Sequence, residues 1–429
     1  MKINSLCVHA GNKPDETGAR QIPIHQTASF VFKSAEQAAN LFALKEVGYI
    51  YSRLTNPTIG ALQEKMAAIE GGIGAVACAS GHAAQLTAFH NLLQSGDEFI
   101  ASKKLYGGSI NQFKNSFKQY GWNVKFVDVD NLEEIQNAIT AKTKFIFTES
   151  LSNPEGAVAD IKSIAKVAHD NGIPLIVDNT IATAALTRPI ENGADIIINS
   201  TTKFLTGNGS AVGGVFIDSG NFDWGQNDKF PLLTSADPSY HGLKFHEACG
   251  KMSFTFRGIA VGLRDLGAVM APMNAFLTML GIETLPLRMQ RHCDNAFKVA
   301  QFLESHQKVA WVKYPGLKSN PYHNLANQYL ENGYGAVFTF GIKNKDLSGD
   351  LSGDESGKKL VDSCDLISHV ANVGDSRTLI IHPSSTTHSQ LSNEEKVLAS
   401  ATNDVVRISI GIENVEDIID DLEKALAEI

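Results

Sequence analysis

Short apolar runs alternate with amphipathic stretches through the first half of the chain. Each run is rich in Val, Ile or Phe and ends abruptly in polar residues, which is typical of strands buried on both faces of a parallel sheet. Most runs are separated by segments of helical periodicity, such as 161–171. The predicted strands are 75–79, 98–101, 123–127, 145–148, 175–177 and 196–199. This alternation predicts an α/β fold with a mainly parallel sheet flanked by helices.

The pattern differs on either side of this region. Residues 1–56 show little periodicity except for a short helix after Ser34, so we interpret them as an N-terminal arm. A long apolar-periodic stretch at 260–304 predicts one or two helices that lead from a large domain, 57–265, into a smaller α+β domain, 266–429. In the smaller domain we predict strands at 337–342 and 406–410 and helices at 394–399 and 415–427.

Two segments are predicted to be irregular. Residues 220–250 are rich in Asp, Pro, Gly and aromatic residues, which indicates an ordered insertion on the surface. Residues 345–359 contain a tandem Asp-Leu-Ser-Gly. This segment lacks the register of a calcium-binding loop, so we predict a flexible loop.

Composition and charge restrict the classes of function. With 429 residues, 43% of them hydrophobic, and a formal net charge of −9, the chain is expected to be a soluble globular protein without a nucleic-acid or membrane partner. No apolar run approaches the roughly 20 residues needed to cross a bilayer, and the N-terminus lacks the apolar core of a signal peptide. The five scattered cysteines lack metal-ligand spacing. We therefore predict free thiols, no metal and a cytoplasmic location.

Asp178 and Lys203 are the most informative polar residues. Asp178 ends one apolar run, and Lys203 follows the next run after the residues Ser-Thr-Thr. Ligands of open α/β sheets bind at the carboxyl ends of strands. A lysine at such a position is suited to form a Schiff base with pyridoxal 5′-phosphate (PLP), while the aspartate pairs with the pyridine nitrogen. Either residue alone is more often a solvated lysine or a helix N-cap, so it is the combination that favours PLP.

PLP also needs a phosphate site and a surface on which its ring stacks. Gly81 and His82 follow a strand and begin a predicted helix, whose first N–H groups are suited to bind an anion. Ser200 and Thr202 lie two apart in a segment predicted to be extended, where both hydroxyls would share one face. Tyr106 precedes two glycines and is the candidate for ring stacking. A simple N-cap explains the residues around Gly81 equally well, and for Tyr106 taken alone a flexible turn is the favoured interpretation.

Tyr51 and Arg53 are two apart on the predicted arm and are expected to point the same way. A guanidinium binds phosphate bidentately. An arm with this pair gains little without a partner surface, so the sequence predicts at least a homodimer in which the arm reaches the neighbouring subunit.

These residues resemble the PLP-dependent Cys/Met metabolism, or trans-sulfuration, family. The segment 200–207, Ser-Thr-Thr-Lys-Phe-Leu-Thr-Gly, is similar to the family's lysine signature, although Asn208 follows where relatives commonly have His, Gln or Asp. The resemblance implies the fold type I of PLP-dependent transferases. Residues 57–265 would then be the PLP-binding domain, and 266–429 the domain that covers the substrate.

The resemblance also implies individual roles. Lys203, Tyr106 and Tyr51 are implied to be catalytic, and the implied substrate-binding residues are Arg407, Asn372, Asn153 and Tyr51. The implied cofactor-binding residues are Lys203, Asp178, Thr180, Gly81, His82, Tyr106, Ser200, Thr202, Asn153 and, from a neighbouring subunit, Tyr51 and Arg53.

Within the family, segments 237–242 and 372–391 are similar to those of O-acetylhomoserine sulfhydrylases. This resemblance implies γ-replacement in methionine and cysteine biosynthesis, in which O-acetyl-L-homoserine and sulfide give L-homocysteine and acetate. The implied small-molecule partners are an amino-acid ester and sulfide or a thiol. The resemblance further implies a homotetramer built from dimers that share active sites. Three alternatives stay open: a bifunctional enzyme that also uses O-acetylserine, an activity of the cystathionine γ-synthase or methionine γ-lyase type, and a non-catalytic PLP-fold binding protein.

Overall fold

A seven-stranded sheet organises the first half of the protein. The computed structural model describes residues 1–343, 353–387 and 401–429, together with 389, 394 and 396. The strands are β1 (Gly74–Cys78), β2 (Glu98–Ser102), β3 (Asn123–Val127), β4 (Thr143–Glu149), β5 (Leu175–Asp178), β6 (Ile196–Asn199) and β7 (Gly214–Asp218). Their order is β1-β7-β6-β5-β4-β2-β3, with β7 antiparallel to both of its neighbours. The predicted α/β fold with a mainly parallel sheet is therefore confirmed.

Both faces of this sheet are buried, and successive residues of a strand point to opposite faces. In β6, Ile197 packs into one hydrophobic cluster, while Ile196 and Ile198 pack into another. We call the second one the aromatic cluster, because rings such as Phe89 and Phe99 pack within it. Burial of each such side chain contributes about 1.5–3 kcal/mol, which explains why the strands are continuous apolar runs in the sequence.

A second sheet of five strands forms the C-terminal part. Its strands are β8 (Val309–Lys313), β9 (Val337–Ile342), β10 (Ser368–His369), β11 (Leu379–Ile381) and β12 (Val405–Ser409), in the order β10-β11-β12-β9-β8. The cluster that contains Ile197 continues into this sheet through Val337, Phe340 and Val406, so the two sheets share one core. The domain boundary between residues 265 and 266 stays a prediction.

Helices connect and cover the two sheets. They are α1 (Ile3–His9), α2 (Ala35–Phe42), α3 (Pro57–Glu70), α4 (Gly81–His90), α5 (Gly107–Asn111), α6 (Leu132–Ala138), α7 (Ile161–Asp170), α8 (Thr183–Leu186), α9 (Pro231–Thr234), α10 (Phe245–Cys249), α11 (Ser253–Arg257), α12 (Arg264–Leu266), α13 (Pro272–Glu283), α14 (Leu285–Ser305), α15 (His323–Tyr329), α16 (Gly353–Asp362) and α17 (Val415–Ala427). Helix α3 begins where the side chain of Asn56 accepts the N–H groups of Thr58 and Ile59. Within the described ranges, no helix combines the length and apolar character needed to cross a membrane.

Most residues of the segment 220–250 lie at least partly at the surface, as predicted, but the segment also contributes rings to the core, which was not predicted. Phe222, Trp224 and Phe230 from this segment pack into the aromatic cluster, and Trp224 is only 1% exposed. The polar residues between them misled the prediction, because they occupy the turns that carry these three rings to the core.

Other predictions differ from the structure in part. The predicted loop 345–359 is wrong from Gly353 onwards, where α16 begins, and its earlier residues lie outside the described part of the chain. The predicted helix 394–399 also lies largely outside the described residues. The stretch 260–304 contains α13 and α14, but both begin after Gly267, whose left-handed φ of 70° ends α12.

Candidate active site

A cavity of about 280 Å³ lies at the carboxyl ends of β4, β5 and β6. Its wall also includes residues of the C-terminal part, among them Val373 and Thr387. The predicted site residues that line it are Gly81, His82, Tyr106, Asn153, Asp178, Thr180, Ser200, Thr202, Lys203, Asn372 and Arg407. This arrangement follows from the parallel sheet, because polar residues that end neighbouring parallel strands meet at one edge.

Lys203 lies in the turn that follows β6. Its Nζ donates a hydrogen bond of 2.5 Å to Oδ1 of Asn372. The loop that carries Asn372 packs closely on this turn, because a Cβ atom at Gly374 would lie only 2.6 Å from the backbone nitrogen of Phe204. Burial, together with the positive charge of Arg407, lowers the pKa of Lys203 to about 8. A substantial fraction of the amine is therefore neutral near physiological pH.

Asp178 is one of two carboxylates at this edge and is half-buried, while the other, Glu149, is buried. Asp178 ends β5 and is the register neighbour of Glu149, which ends β4. Asp178 Oδ1 accepts the backbone N–H of Thr180 at 2.9 Å. Burial raises the pKa of Asp178 to about 6. Burial also raises the pKa of Glu149, to about 8, and the charge of Asp178 adds to that shift. A cation bound beside this pair would stabilise the ionised carboxylates.

The first turn of α4 faces the residues that follow β6. Ser80 caps this helix by accepting the N–H of Ala83. A Cβ atom at Gly81 would lie 2.9 Å from Cβ of Ser200, so glycine permits the close approach of the two segments. Helix N-termini attract anions because their first N–H groups have no partner within the helix. The arrangement is suited to bind a phosphate.

Ser200 and Thr202 line the cavity, but not for the predicted reason. The strand β6 ends at Asn199, and the chain then turns, so the two residues do not share a face of an extended segment. Their positions are set by long-range hydrogen bonds. Ser200 N–H donates to Oγ1 of Thr180, and the Thr202 hydroxyl accepts the N–H of Gly213.

Tyr106 and His82 provide a flat surface at the cavity. Their rings are nearly parallel, with centroids 6.0 Å apart and an interplanar angle of 29°. Tyr106 lies just before α5, and its ring covers Gly108, where a Cβ atom would lie 2.3 Å from the ring. This contact explains the glycine, since a side chain there would displace the tyrosine.

Arg407, on β12, brings a cation to the cavity. Its side chain is buried, and Nη2 donates to the backbone carbonyl of Asn372 at 3.2 Å. Burial lowers the pKa of Arg407 to about 10, so the guanidinium stays charged at neutral pH. None of the described carboxylates forms an ion pair with it, which leaves the charge available to an anionic ligand.

Tyr51 and Arg53 do not line the cavity of their own chain. Tyr51 forms an isolated bridge with Ser29, and a turn follows, so the predicted extended arm is not observed here. The guanidinium of Arg53 donates to the carbonyl of Arg264 and lies 5.6 Å from the centroid of the Tyr51 ring. Their contribution to a neighbouring subunit stays a prediction.

The predicted site did not include five polar residues that line the cavity, namely Ser80, Gln85, Ser109, Glu149 and Thr387. Glu149 ends a buried strand as Asp178 does, so the rule that selected Asp178 was able to select it too. Gln85 is buried in α4 and donates to the hydroxyl of Ser109 at 3.1 Å. No sequence signal distinguishes this glutamine from others on helices.

The sequence as a whole matches a known family. The model of the family described as Cys/Met metabolism PLP-dependent enzyme matches residues 4–427. The chain belongs to this family. It is therefore a PLP-dependent enzyme, and the prediction of the cofactor from Asp178 and Lys203 is confirmed.

Relatives and a solved structure of this family match the chain over its full length. The O-acetyl-L-homoserine sulfhydrylase of Leptospira meyeri is 44% identical, over 100% of this chain and 97% of the relative. The homocysteine/cysteine synthase of Kluyveromyces lactis is 45% identical, over 100% of this chain and 98% of the relative. A crystal structure from Campylobacter jejuni, described as an O-acetylhomoserine (thiol)-lyase with N′-pyridoxyl-lysine-5′-monophosphate, is 40% identical, with a TM-score of 0.95 over 100% of both chains.

The cavity fits PLP in its donors and acceptors. Three buried polar atoms of lining residues, Oδ1 of Asn153, Nε2 of His82 and Oε1 of Gln85, have no hydrogen-bond partner among the described residues. Buried polar atoms are nearly always paired, so atoms of this kind at a cavity indicate a polar ligand. The family cofactor supplies such groups, and the amine of Lys203 is suited to its covalent attachment.

Proposed function

We propose that the protein catalyses γ-replacement on O-acetyl-L-homoserine, with sulfide as the second substrate and L-homocysteine and acetate as products. The observation that carries the proposal is the pairing of Lys203 and Arg407 through one residue, Asn372, whose side chain accepts from Lys203 and whose carbonyl accepts from Arg407. An amine with a lowered pKa thus lies near a cation without a carboxylate partner, as an amino-acid substrate requires. The names of the relatives support the choice of substrate.

Arg407 binds the carboxylate of the substrate. Two parallel hydrogen bonds from a guanidinium fix the orientation of a carboxylate, which holds the Cα–H bond in the direction needed for proton removal. Because Arg407 is buried on β12, little motion of the clamp is expected.

Lys203 holds and moves protons. PLP, when bound, supplies an electron sink that stabilises negative charge on the substrate. Asp178 keeps the ring nitrogen protonated, which strengthens that sink. The neutral amine of Lys203 removes the Cα proton and then a Cβ proton, a task suited to a pKa of about 8. Acetate leaves from Cγ, sulfide adds to Cγ, and Lys203 returns protons to Cβ and Cα, with the hydroxyls of Tyr106 and Tyr51 assisting.

We propose that the protein acts as a homo-oligomer. Large apolar side chains of the arm are exposed, namely Val31 at 99%, Val47 at 87% and Phe42 at 62%. Several exposed apolar side chains in one short segment favour a protein–protein contact. We propose dimers in which Tyr51 and Arg53 reach the partner's cavity, and a tetramer built from two such dimers. Sedimentation velocity tests this assembly, and a monomer that keeps full activity would contradict it.

A panel of activated esters and thiols tests the reaction. The purified holoenzyme is assayed with sulfide and O-acetylhomoserine, O-succinylhomoserine or O-acetylserine, and then with methanethiol in place of sulfide. We expect the highest kcat/KM with O-acetylhomoserine and sulfide. Absence of homocysteine from this pair would overturn the proposal. Cysteine from O-acetylserine would support the bifunctional alternative, which the relative named homocysteine/cysteine synthase favours.

The cytoplasmic location stays a prediction. All five cysteines are free thiols, as expected in a reducing compartment. Fractionation of the native organism tests it.

A further inference from the structure

Glu149 connects two loops that each carry a predicted cofactor-binding residue. It ends β4, is 6% exposed and lines the cavity. Its Oε1 accepts the backbone N–H of Tyr106 at 2.7 Å, and its Oε2 accepts the backbone N–H of Asn153 at 3.0 Å. Each oxygen of this carboxylate therefore accepts a hydrogen bond from a different loop.

These two hydrogen bonds attach the backbone at Tyr106 and at Asn153 directly to the end of β4. The carbonyl of Tyr106 accepts the N–H groups of Ser109 and Ile110, so Tyr106 forms the start of α5. No side chain caps this short helix. Glu149 is the link between the start of α5 and the central strand β4. Displacement of this link would move the ring of Tyr106 relative to the sheet.

Asn153 depends on Glu149 in a similar way. Its turn is closed by hydrogen bonds to Ser152, whose carbonyl accepts the N–H of Gly156 and whose hydroxyl accepts the N–H of Ala157. These bonds shape the turn but do not attach Asn153 itself to the sheet. The backbone bond to Glu149 does so, and it places the amide of Asn153 at the cavity.

We propose that Glu149 is a positioning residue, whose two carboxylate oxygens set the places of Tyr106 and Asn153 around the cofactor. Only a carboxylate offers two acceptor oxygens. An amide offers one oxygen and directs an NH₂ group at the second N–H. The proposal rests on the cofactor-binding role of the cavity and adds to it a residue that acts through the backbone of two others. Glu149 itself transfers no proton.

The substitution Glu149→Gln tests this role in the holoenzyme. It keeps the size of the side chain and removes one acceptor. We expect the circular dichroism of bound PLP at visible wavelengths to decrease or shift, the Kd for PLP to rise about tenfold, and kcat to fall by about 10- to 100-fold, since small displacements of catalytic groups are costly. Visible dichroism is the decisive readout, because a purely structural role leaves the cofactor environment unchanged.

Glu98→Gln is the matched control. Glu98 is a partly buried carboxylate at the opposite end of the sheet, where it accepts from Thr143 and Lys125. We expect this variant to keep the cofactor signal and kcat even if its thermal stability falls. An equal change of the cofactor signal in both variants would overturn the proposal, as would an unchanged signal and an unchanged kcat in Glu149→Gln.

Glu149→Asp covers the case in which the glutamine variant does not fold. Aspartate keeps both acceptor oxygens and the negative charge. Its side chain is one methylene shorter, so the carboxylate lies farther from the two N–H groups. We expect a cofactor signal between those of the parent protein and the glutamine variant, and a parental signal in both Glu149→Asp and Glu149→Gln would contradict the proposal. The dichroism of bound PLP needs no substrate, so failure of this inference is distinguishable from failure of the proposed reaction.

Discussion

The cavity and the N-terminal arm carry different parts of the predicted cofactor site, and their residues are held in different ways. At the cavity, the half-buried Lys203 and the buried Arg407 share Asn372 as a hydrogen-bond partner. On the arm, Tyr51 and Arg53 lie at the surface, away from the cavity of their own chain. The functional residues at the strand ends thus come together within a single chain. The functional residues of the arm, in our proposal, act only when the arm reaches the cavity of a second subunit.

The largest effect is expected from Lys203→Ala. This variant tests whether the base that removes the substrate protons lies in the cavity. Loss of a general base lowers rates by about 10²–10⁴-fold, and the covalent attachment of PLP is lost as well. Homocysteine formation measures the rate, and mass spectrometry after borohydride reduction measures the attachment. Lys13→Ala is the control, because Lys13 is exposed and paired only with Glu64. A pyridoxyl-lysine elsewhere in the chain would contradict the assignment.

A smaller effect is expected from Arg407→Gln, which tests the carboxylate clamp. Hydrogen bonds to charged groups contribute about 1.5–3 kcal/mol, so kcat/KM for the amino-acid ester is expected to fall about 10- to 100-fold. Most of the loss is expected in KM, with the KM for sulfide nearly unchanged. The exposed Arg377, in the same part of the molecule, provides the control Arg377→Gln. An unchanged KM for the ester would exclude Arg407 as the clamp.

Arg53→Ala tests whether the N-terminal arm contributes to cofactor binding. Removal of one charge-assisted contact with the cofactor phosphate is expected to raise the Kd for PLP about tenfold. Equilibrium titration followed by visible absorbance measures it.

Mixing this variant with Lys203→Ala sharpens the comparison. In a mixed dimer, the chain with an intact lysine receives an intact arm from its partner. A fraction of sites with parental PLP affinity is therefore expected after subunit exchange. If no such fraction forms, the arm does not act across an interface.

The smallest effect is expected in the pH dependence of PLP capture by the apoenzyme. Capture needs the neutral amine of Lys203, whose pKa is about 8, so its rate is expected to rise with pH and to level off above a midpoint near 8. An ordinary lysine would keep rising beyond pH 10. Arg407→Gln removes a neighbouring positive charge and is expected to move the midpoint upward. Stopped-flow absorbance across the pH range measures both, and a midpoint that moves downward would contradict this electrostatic account.

Much of the fold could be predicted from sequence because burial on both faces makes each strand a continuous apolar run. The predicted strands at 123–127 and 196–199 have the bounds of β3 and β6. The burial of rings from the segment 220–250 was not predicted, for the opposite reason. These rings are separated by polar turns, and the cluster that buries Trp224 is assembled from residues distant in sequence.

The site residues, like the strands, could be predicted where the signal is local in sequence and not where it depends on distant residues. Asp178 and Lys203 were found because a strand end is a local signal. The hydrogen bonds that position the site are not local, since Tyr106 lies 43 residues before Glu149, and only the folded chain brings them together. The predicted roles of individual residues stay predictions until variants are measured.

The shared core of the two sheets has a consequence for how the molecule melts. Ile197 in one sheet and Val406 in the other belong to a single apolar cluster, so separation of the halves would expose a large hydrophobic surface on each. Neither half is an independent module that can be cut out or exchanged with that of another protein. Heat is expected to denature the chain in one calorimetric transition, and a ligand that tightens the cavity between the sheets stabilises the whole polypeptide at once.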